Sequence, residues 1–165
     1  MEILRLDVAN HGRTAWVFSD TVHKSPMWET VAQRVATLLQ GAKAPAILDL
    51  ASGHGEPACS MALRIPCASI ISSDVDEKLL STARARVKKL ALGKRVKVKR
   101  LDMTNLSSIK TASVDVVTAC LALHLLPRVP QFLREVVRVL KPSGHCIATM
   151  WDAVPMVSAN PTLPL

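Results

Sequence analysis

The decisive stretch is residues 46–58, AILDLASGHGEPA. A short apolar run reaches Asp49-Leu50 and gives way to the small-residue turn Ala51-Ser52-Gly53-His54-Gly55. A continuous apolar run of this length reads as a strand buried on both faces, as in parallel sheets. Gly53 and Gly55 lack a Cβ and accept positive φ, so the backbone can turn tightly and approach a ligand. Beyond them Pro57 sits where a helix would begin, and a helix start presents N–H groups suited to an anion.

Working outward, the same alternation repeats. Upstream, Ser25 and Pro26 read as the cap and first turn of a helix whose Met27, Val31, Val35, Leu38 and Leu39 share a face. Downstream, residues 56–65 read as a helix and 68–74 (ASIISSD) as a strand. Residues 76–92 read as a helix with acids first and bases last, stopped by Gly93. RVKVKRL (95–101) has strand period with one polar face, and SVDVVTACL (113–121) is a buried strand. Residues 130–141 read as a helix stopped by Pro142 and Gly144, followed by HCIATMW (145–151) as a strand. Strand–helix alternation without a repeated unit predicts an α/β, Rossmann-like doubly wound parallel sheet of about five strands over residues 26–151. Residues 1–25 show no clear pattern, and 152–165 read as a Pro-rich coil tail. Ligands of such sheets bind beyond the carboxyl ends of the strands, where the 49–55 turn would lie.

The formal charge is +8, and much of it falls between Arg84 and Arg100, where no acid interrupts. A nucleic-acid patch is one reading; a solvated helix end followed by a lysine-guarded edge strand is the other. The second is favoured, because no aromatic residue is interleaved to stack bases. RNA therefore stands as the lesser partner. Cys59, Cys67, Cys120 and Cys146 have no metal-ligand spacing. They predict reduced thiols and a cytoplasmic protein, with the mitochondrion as the alternative address. No apolar run reaches the roughly 18 residues of a membrane span.

Two ligands suit the glycine turn. Gly53 to Ala58 fits G-x-G-x-x-G/A, and Asp74 follows at the distance a dinucleotide fingerprint asks. Pro57 removes an amide from the helix start, however, and Glu56 would set a negative charge near the pyrophosphate. The second ligand is S-adenosylmethionine. Asp49-Leu50-Ala51-Ser52-Gly53-His54-Gly55 resembles the first motif of class I S-adenosylmethionine-dependent methyltransferases. SSDVDEKLLSTAR and RLDMTNL resemble the ends of their second and third strands. SVDVVTACLALHLLPRVPQFLREVVRVLKPSGH is similar to a block of the ubiquinone/menaquinone-type enzymes.

The resemblance, which covers about residues 26–151, implies methyl transfer to a small-molecule acceptor with S-adenosyl-L-methionine as cofactor and no metal. Asp74 would accept from both ribose hydroxyls, with Val75 against the adenine face. Asp102 would accept from the exocyclic amine, and the Met103 N–H would donate to the ring. The methionine carboxylate would meet the amides of Gly53 and Gly55, and its ammonium the carbonyls near Cys120. Ala51, His54 and Cys120 would line the cofactor, with Asp49 helping indirectly. Each assignment has a plainer alternative: Asp49 capping its own loop, Asp102 forming a turn with Thr104 and Asn105, Asp76 capping a helix. The catalytic group is unassigned; His124 is a candidate general base or a structural histidine. Trp16 and Phe18 would cover the sheet or close over the acceptor.

Two substitutions depart from the family pattern. Ala51 and Ser143 stand where glycines are expected. The family sheet has seven strands, whereas this sequence ends soon after its fifth, which reads as a truncated domain. The strand 145–151 would then be an unguarded apolar edge, inviting self-association. The rival functions are an NAD(P)-dependent oxidoreductase domain and a non-catalytic methyltransferase-like protein.

Overall fold

The structure, a computed structural model, describes residues 2–6 and 25–151. The expectations placed on Trp16, Phe18 and the 152–165 tail lie outside the described residues. The elements run β1 (Glu2–Leu6), α1 (Pro26–Leu38), β2 (Ala46–Leu50), α2 (Ala58–Arg64), β3 (Ser69–Asp74) and α3 (Glu77–Lys89). They continue with β4 (Val96–Arg100), β5 (Val114–Cys120), a 3-10 turn (Leu123–Leu125), α4 (Val129–Val139) and β6 (Leu140–Trp151). The strands form one sheet in the order β1-β6-β5-β2-β3-β4, and every pairing is parallel.

Alternation along the strands divides the core in two. Ile47, Ile70, Val116 and Ile147 pack beneath α1, α2 and α3. Leu48, Leu50, Val117 and Ala119 pack on the other face, against Phe132, Val136 and Val139 of α4 and against Leu106. Each central strand is thus buried on both sides, the pattern its apolar run predicted.

The caps are those the sequence announces. Ser25 Oγ accepts from Met27 N at 3.3 Å, and Asp76 Oδ1 accepts from Lys78 N at 2.8 Å. The far end of α3 differs from expectation. Ala91, not Gly93, takes the left-handed conformation, at φ +55°. The Leu92 amide reaches the Val87 carbonyl at 2.9 Å and the Ala91 amide the Lys88 carbonyl at 3.1 Å, a Schellman closure. It turns Leu92, 3% exposed, back into the core.

Helix α4 stops at Val139, and Pro142 and Gly144 lie inside β6 rather than between helix and strand. They sit in a bulge: Val114 pairs with Leu140 but Val116 with His145. A Cβ on Gly144 would lie 2.9 Å from Leu140 Cδ2, 3.0 Å from Lys141 O and 3.1 Å from Asp115 O. A side chain there would crowd both backbone oxygens and push the Leu140 methyl aside. Lys141 Nζ contacts both oxygens of Asp115, at 2.9 and 2.8 Å, and Asp115 Oδ2 accepts from Ala46 N at 2.8 Å. Burial pushes the Asp115 carboxyl up, but Lys141 and the Ala46 amide outweigh it and hold it below the usual carboxylate range.

The N-terminal segment holds a sixth strand. Glu2–Leu6 pairs with β6 from Glu2 opposite Ile147 to Leu6 opposite Trp151. The open edge expected along 145–151 is therefore paired from Ile147 onward by the chain's own β1, and the sheet's outer strands are β1 and β4.

Candidate functional site

The four strands β5, β2, β3 and β4 lie side by side and end together. Leu50, the last residue of β2, stands opposite Ser73 on one side and Ala119 on the other. Asp74 stands opposite Arg100. The turn after Leu50 therefore emerges between Asp74 and Cys120, with Asp102 two residues beyond β4. The sequence-predicted site residues thus meet at one end of the sheet.

The turn is held by its neighbour strand. Ser52 N donates to Ser73 O at 2.8 Å, and the Gly55 and Glu56 amides donate to Ser52 O at 2.9 and 3.1 Å. The Ser52 and Ser72 hydroxyls are 2.6 Å apart. Asp74 completes the closure: Oδ2 accepts from Gly53 N at 2.9 Å and Oδ1 from Asp76 N at 3.0 Å. This corrects one expectation. The Gly53 and Gly55 amides donate within the chain and are not held open for a carboxylate. The glycines contribute geometry instead, with φ of +53° and +94°. A Cβ on Gly53 would meet nothing within 4 Å, so the outer side of the turn is open. One on Gly55 would lie 3.3 Å from Ala83 Cβ. Ala51 adopts φ +53°, the left-handed conformation that costs an alanine on the order of 1 kcal/mol.

Asp49 is fully buried. Its Oδ2 accepts from Ala58 N at 3.0 Å and its Oδ1 from the Thr118 hydroxyl at 2.6 Å. Burial pushes its pKa up to about 8, against the pull of those two bonds. Asp49 thus ties β5 and the start of α2 to β2, beneath the site rather than in it. Glu56 also turns inward. Its Oε2 accepts from Ser60 N at 3.1 Å and Ser60 Oγ at 2.8 Å, and its Oε1 pairs with Arg86 of α3. Burial raises its pKa, while Ser60 and Arg86 pull the other way. Glu56 consequently sets no charge over the turn, so that argument against a dinucleotide falls. A stronger one replaces it. The Ala58, Cys59 and Ser60 amides at the start of α2 donate to Asp49, Gly55 O and Glu56, which uses up the donors a pyrophosphate would need.

The remaining residues line the rim. Val75 is 55% exposed although apolar. Asp102 is exposed and forms the turn, Oδ1 accepting from Thr104 N at 2.8 Å and Thr104 Oγ1 at 2.7 Å. Met103 packs against the α4-side core. Cys120 is buried at the end of β5, and burial pushes its thiol up, so it stands there as a neutral group. After it, Leu121 takes φ +52°, its amide donating to Thr149 O at 2.9 Å and Thr149 Oγ1 at 3.1 Å. His54 is half-buried beside the turn, and His124 is exposed on the 3-10 turn past β5.

Sequence reasoning missed the residues that brace this site. Glu135 Oε2 accepts from Leu106 N at 2.6 Å. Arg138 donates to Leu106 O at 2.7 Å, Ile109 O at 3.0 Å and Glu135. This pair clamps the segment that follows Asp102. Its signal was present in REVVR, where acid and base stand three apart on a helix, but nothing local names the loop they hold.

Residues 48–148 match the type 11 methyltransferase domain family, and the chain belongs to that family. Among curated relatives, the demethylmenaquinone methyltransferase of Lactobacillus johnsonii is 33% identical over 98 residues, 59% of this chain and 40% of that protein. The ubiquinone/menaquinone biosynthesis C-methyltransferase of Dinoroseobacter shibae is 30% identical over 134 residues, 81% of this chain and 50% of that protein. The chain thus spans about half the length of these relatives or less. A putative S-adenosyl-L-methionine-dependent methyltransferase from Methanococcus maripaludis shares the fold at TM-score 0.71 and 22% identity, covering 79% of this chain and 60% of that one. Among the described residues no helix is long and apolar enough to cross a membrane.

Proposed function

We propose that the chain binds S-adenosylmethionine at the carboxyl ends of β5, β2, β3 and β4 and supports methyl transfer to a small-molecule acceptor. The Asp74 carboxylate carries this reading. It is 8% exposed and fixed by the Gly53 and Asp76 amides. A carboxylate offers about four acceptor sites, so two bonds leave capacity for two vicinal ribose hydroxyls. Beside it the exposed apolar side chain of Val75 offers a face for a purine, and the open side of Gly53 leaves room over the turn. The residues present therefore fit the group.

Asp102 and the Met103 amide would read the adenine edge. His54, Ala51 and Cys120 would line the methionine side, with Asp49 setting the turn from below. Bound there, the cofactor supplies an electrophilic methyl carbon on a sulfonium. The protein's part is alignment of the acceptor with that carbon, and His124 would take the acceptor's proton. The relatives named demethylmenaquinone methyltransferase suggest an apolar ring compound as the acceptor.

Isothermal titration with S-adenosylhomocysteine and with NADH, on the wild type and on Asp74→Ala, tests the reading. The wild type binds the first ligand and not the second, and the variant loses most of that affinity. Equal binding by both proteins refutes the ribose contact, and preference for NADH restores the oxidoreductase. A radiolabelled methyl-transfer screen over apolar ring acceptors then asks for turnover. Binding without transfer to any acceptor would leave a cofactor-holding domain and remove the enzyme.

A further inference from the structure

We propose that the edge formed by α3 and β4 is a docking surface for an anionic lipid bilayer. From Lys78 to Leu101 the chain carries no acid. The four arginines of this region are engaged: Arg84 with Glu77, Arg86 with Glu56, Arg95 with Ala62 O, Arg100 with Val75 O. Lys88, Lys89, Lys94, Lys97 and Lys99 are all exposed, and among the described residues none of them forms an ion pair.

Their placement matters as much as their number. Beta-strand β4 is the last strand of the sheet. A groove of about 560 Å³ runs along it, floored by Val87, Val96 and Val98 and rimmed by Arg84, Lys88 and Lys94. Lys97 and Lys99 alternate with those valines and so occupy the opposite face of the sheet. Lysine therefore flanks the edge on both faces of the sheet, while Val87 and Val96 beneath the groove are buried. Two lysines on the strand would suffice to guard the edge against pairing; Lys88, Lys89 and Lys94 lie on α3 and the turn after it, outside that role. Flexible cationic stems gathered around one edge match a layer of anionic headgroups. A nucleic acid fits less well. No aromatic residue lies in 78–101 to stack a base, and the arginines that would grip phosphate bidentately are engaged elsewhere.

Strand β4 ends at Arg100, beside Asp74, so docking along this edge brings the cradle to the membrane, where apolar ring compounds dissolve. The proposal itself rests on surface charge and not on the cofactor.

Co-sedimentation of the full chain with vesicles tests it. We expect binding to vesicles of equal parts phosphatidylglycerol and phosphatidylcholine, none to phosphatidylcholine alone, and release at high salt. The triple variant Lys88→Gln, Lys94→Gln, Lys97→Gln should partition on the order of a hundredfold more weakly, with an unchanged melting temperature as proof of folding. Asp74→Ala should still bind vesicles, which separates this proposal from the cofactor reading. Equal partition onto both vesicle types, or an unaffected triple variant, overturns it. So does tighter, lysine-dependent binding of a single-stranded RNA, which would assign the surface to nucleic acid.

Discussion

Asp74 Oδ2 accepts the Gly53 amide at 2.9 Å, so the acid at the tip of β3 and the first glycine after β2 move as one unit. The carboxylate proposed to grip the ribose also shapes the turn. Asp74→Ala leaves two amides without their acceptor, each bond to a charged group being worth about 1.5–3 kcal/mol. We expect a lower melting temperature and a cofactor affinity reduced more than about tenfold. Asp74→Asn, which keeps one acceptor oxygen, falls between. Thermal melting beside calorimetric titration measures both, and an alanine variant matching the wild type in both would remove Asp74 from the site.

Asp49 makes stability depend on pH. Its folded pKa, about 8, lies above the ordinary 3.8, so between those values the folded chain holds a proton that the unfolded chain releases. Stability then falls as pH rises through that window. Asp49→Asn imitates the protonated acid: its oxygen accepts from Ala58 N and its NH2 faces the Thr118 hydroxyl. The variant should lose Asp49's share of the downward slope and gain on the wild type toward alkaline pH. Asp49→Ala should be destabilised throughout, by about 1–3 kcal/mol. Urea midpoints across the window check the sign; a wild type with no downward slope relative to Asp49→Asn would contradict it.

The turn offers a graded series. Ala51→Gly relieves a left-handed alanine and should stabilise by up to about 1 kcal/mol. Gly53→Ala introduces the same strain with no steric contact within 4 Å, whereas Gly55→Ala adds a contact 3.3 Å from Ala83 Cβ. The expected order of stability is Ala51→Gly, wild type, Gly53→Ala, Gly55→Ala. Denaturant midpoints at constant slope test it.

The same series shows what the residues declare locally. The apolar run 46–50, the positive-φ turn and the Asp76 cap follow from a few adjacent side chains, and each is where the pattern puts it. What stayed hidden is long-range. The Thr118 hydroxyl that holds Asp49 lies 69 residues away, and only the sheet register brings them together. The loss of the Gly53 amide to Asp74 depends likewise on β2 lying beside β3. Beta-strand β1 escaped because Glu2 and Arg5 break its apolar pattern; it is a strand only because β6 offers an edge. Pro142 and Gly144 read as a helix stop and instead make a bulge, a distinction set by the pairing of Leu140 with Val114 and by Asp115 on the neighbouring strand β5.

The clamp of Glu135 and Arg138 is a further long-range support of the site and carries the last prediction. The Arg138 guanidinium, with the Leu106 amide, holds the Glu135 carboxyl below its ordinary 4.5 against a smaller opposing push from burial. A depressed acid stabilises the fold above its unfolded pKa, and that contribution is lost as pH falls through the folded one. Arg138→Lys keeps a charge but loses the fork that reaches Leu106 O, Ile109 O and Glu135 together. We expect faster hydrogen exchange at the Leu106 amide, a loosened segment after Asp102, and a smaller loss of stability on acidification than the wild type shows. Cofactor affinity should fall by less than in Asp74→Ala, because only the contacts proposed for Asp102 and Met103 are disturbed. Exchange at Leu106 unchanged in Arg138→Lys would mean that the segment holds itself and that the clamp is incidental to it.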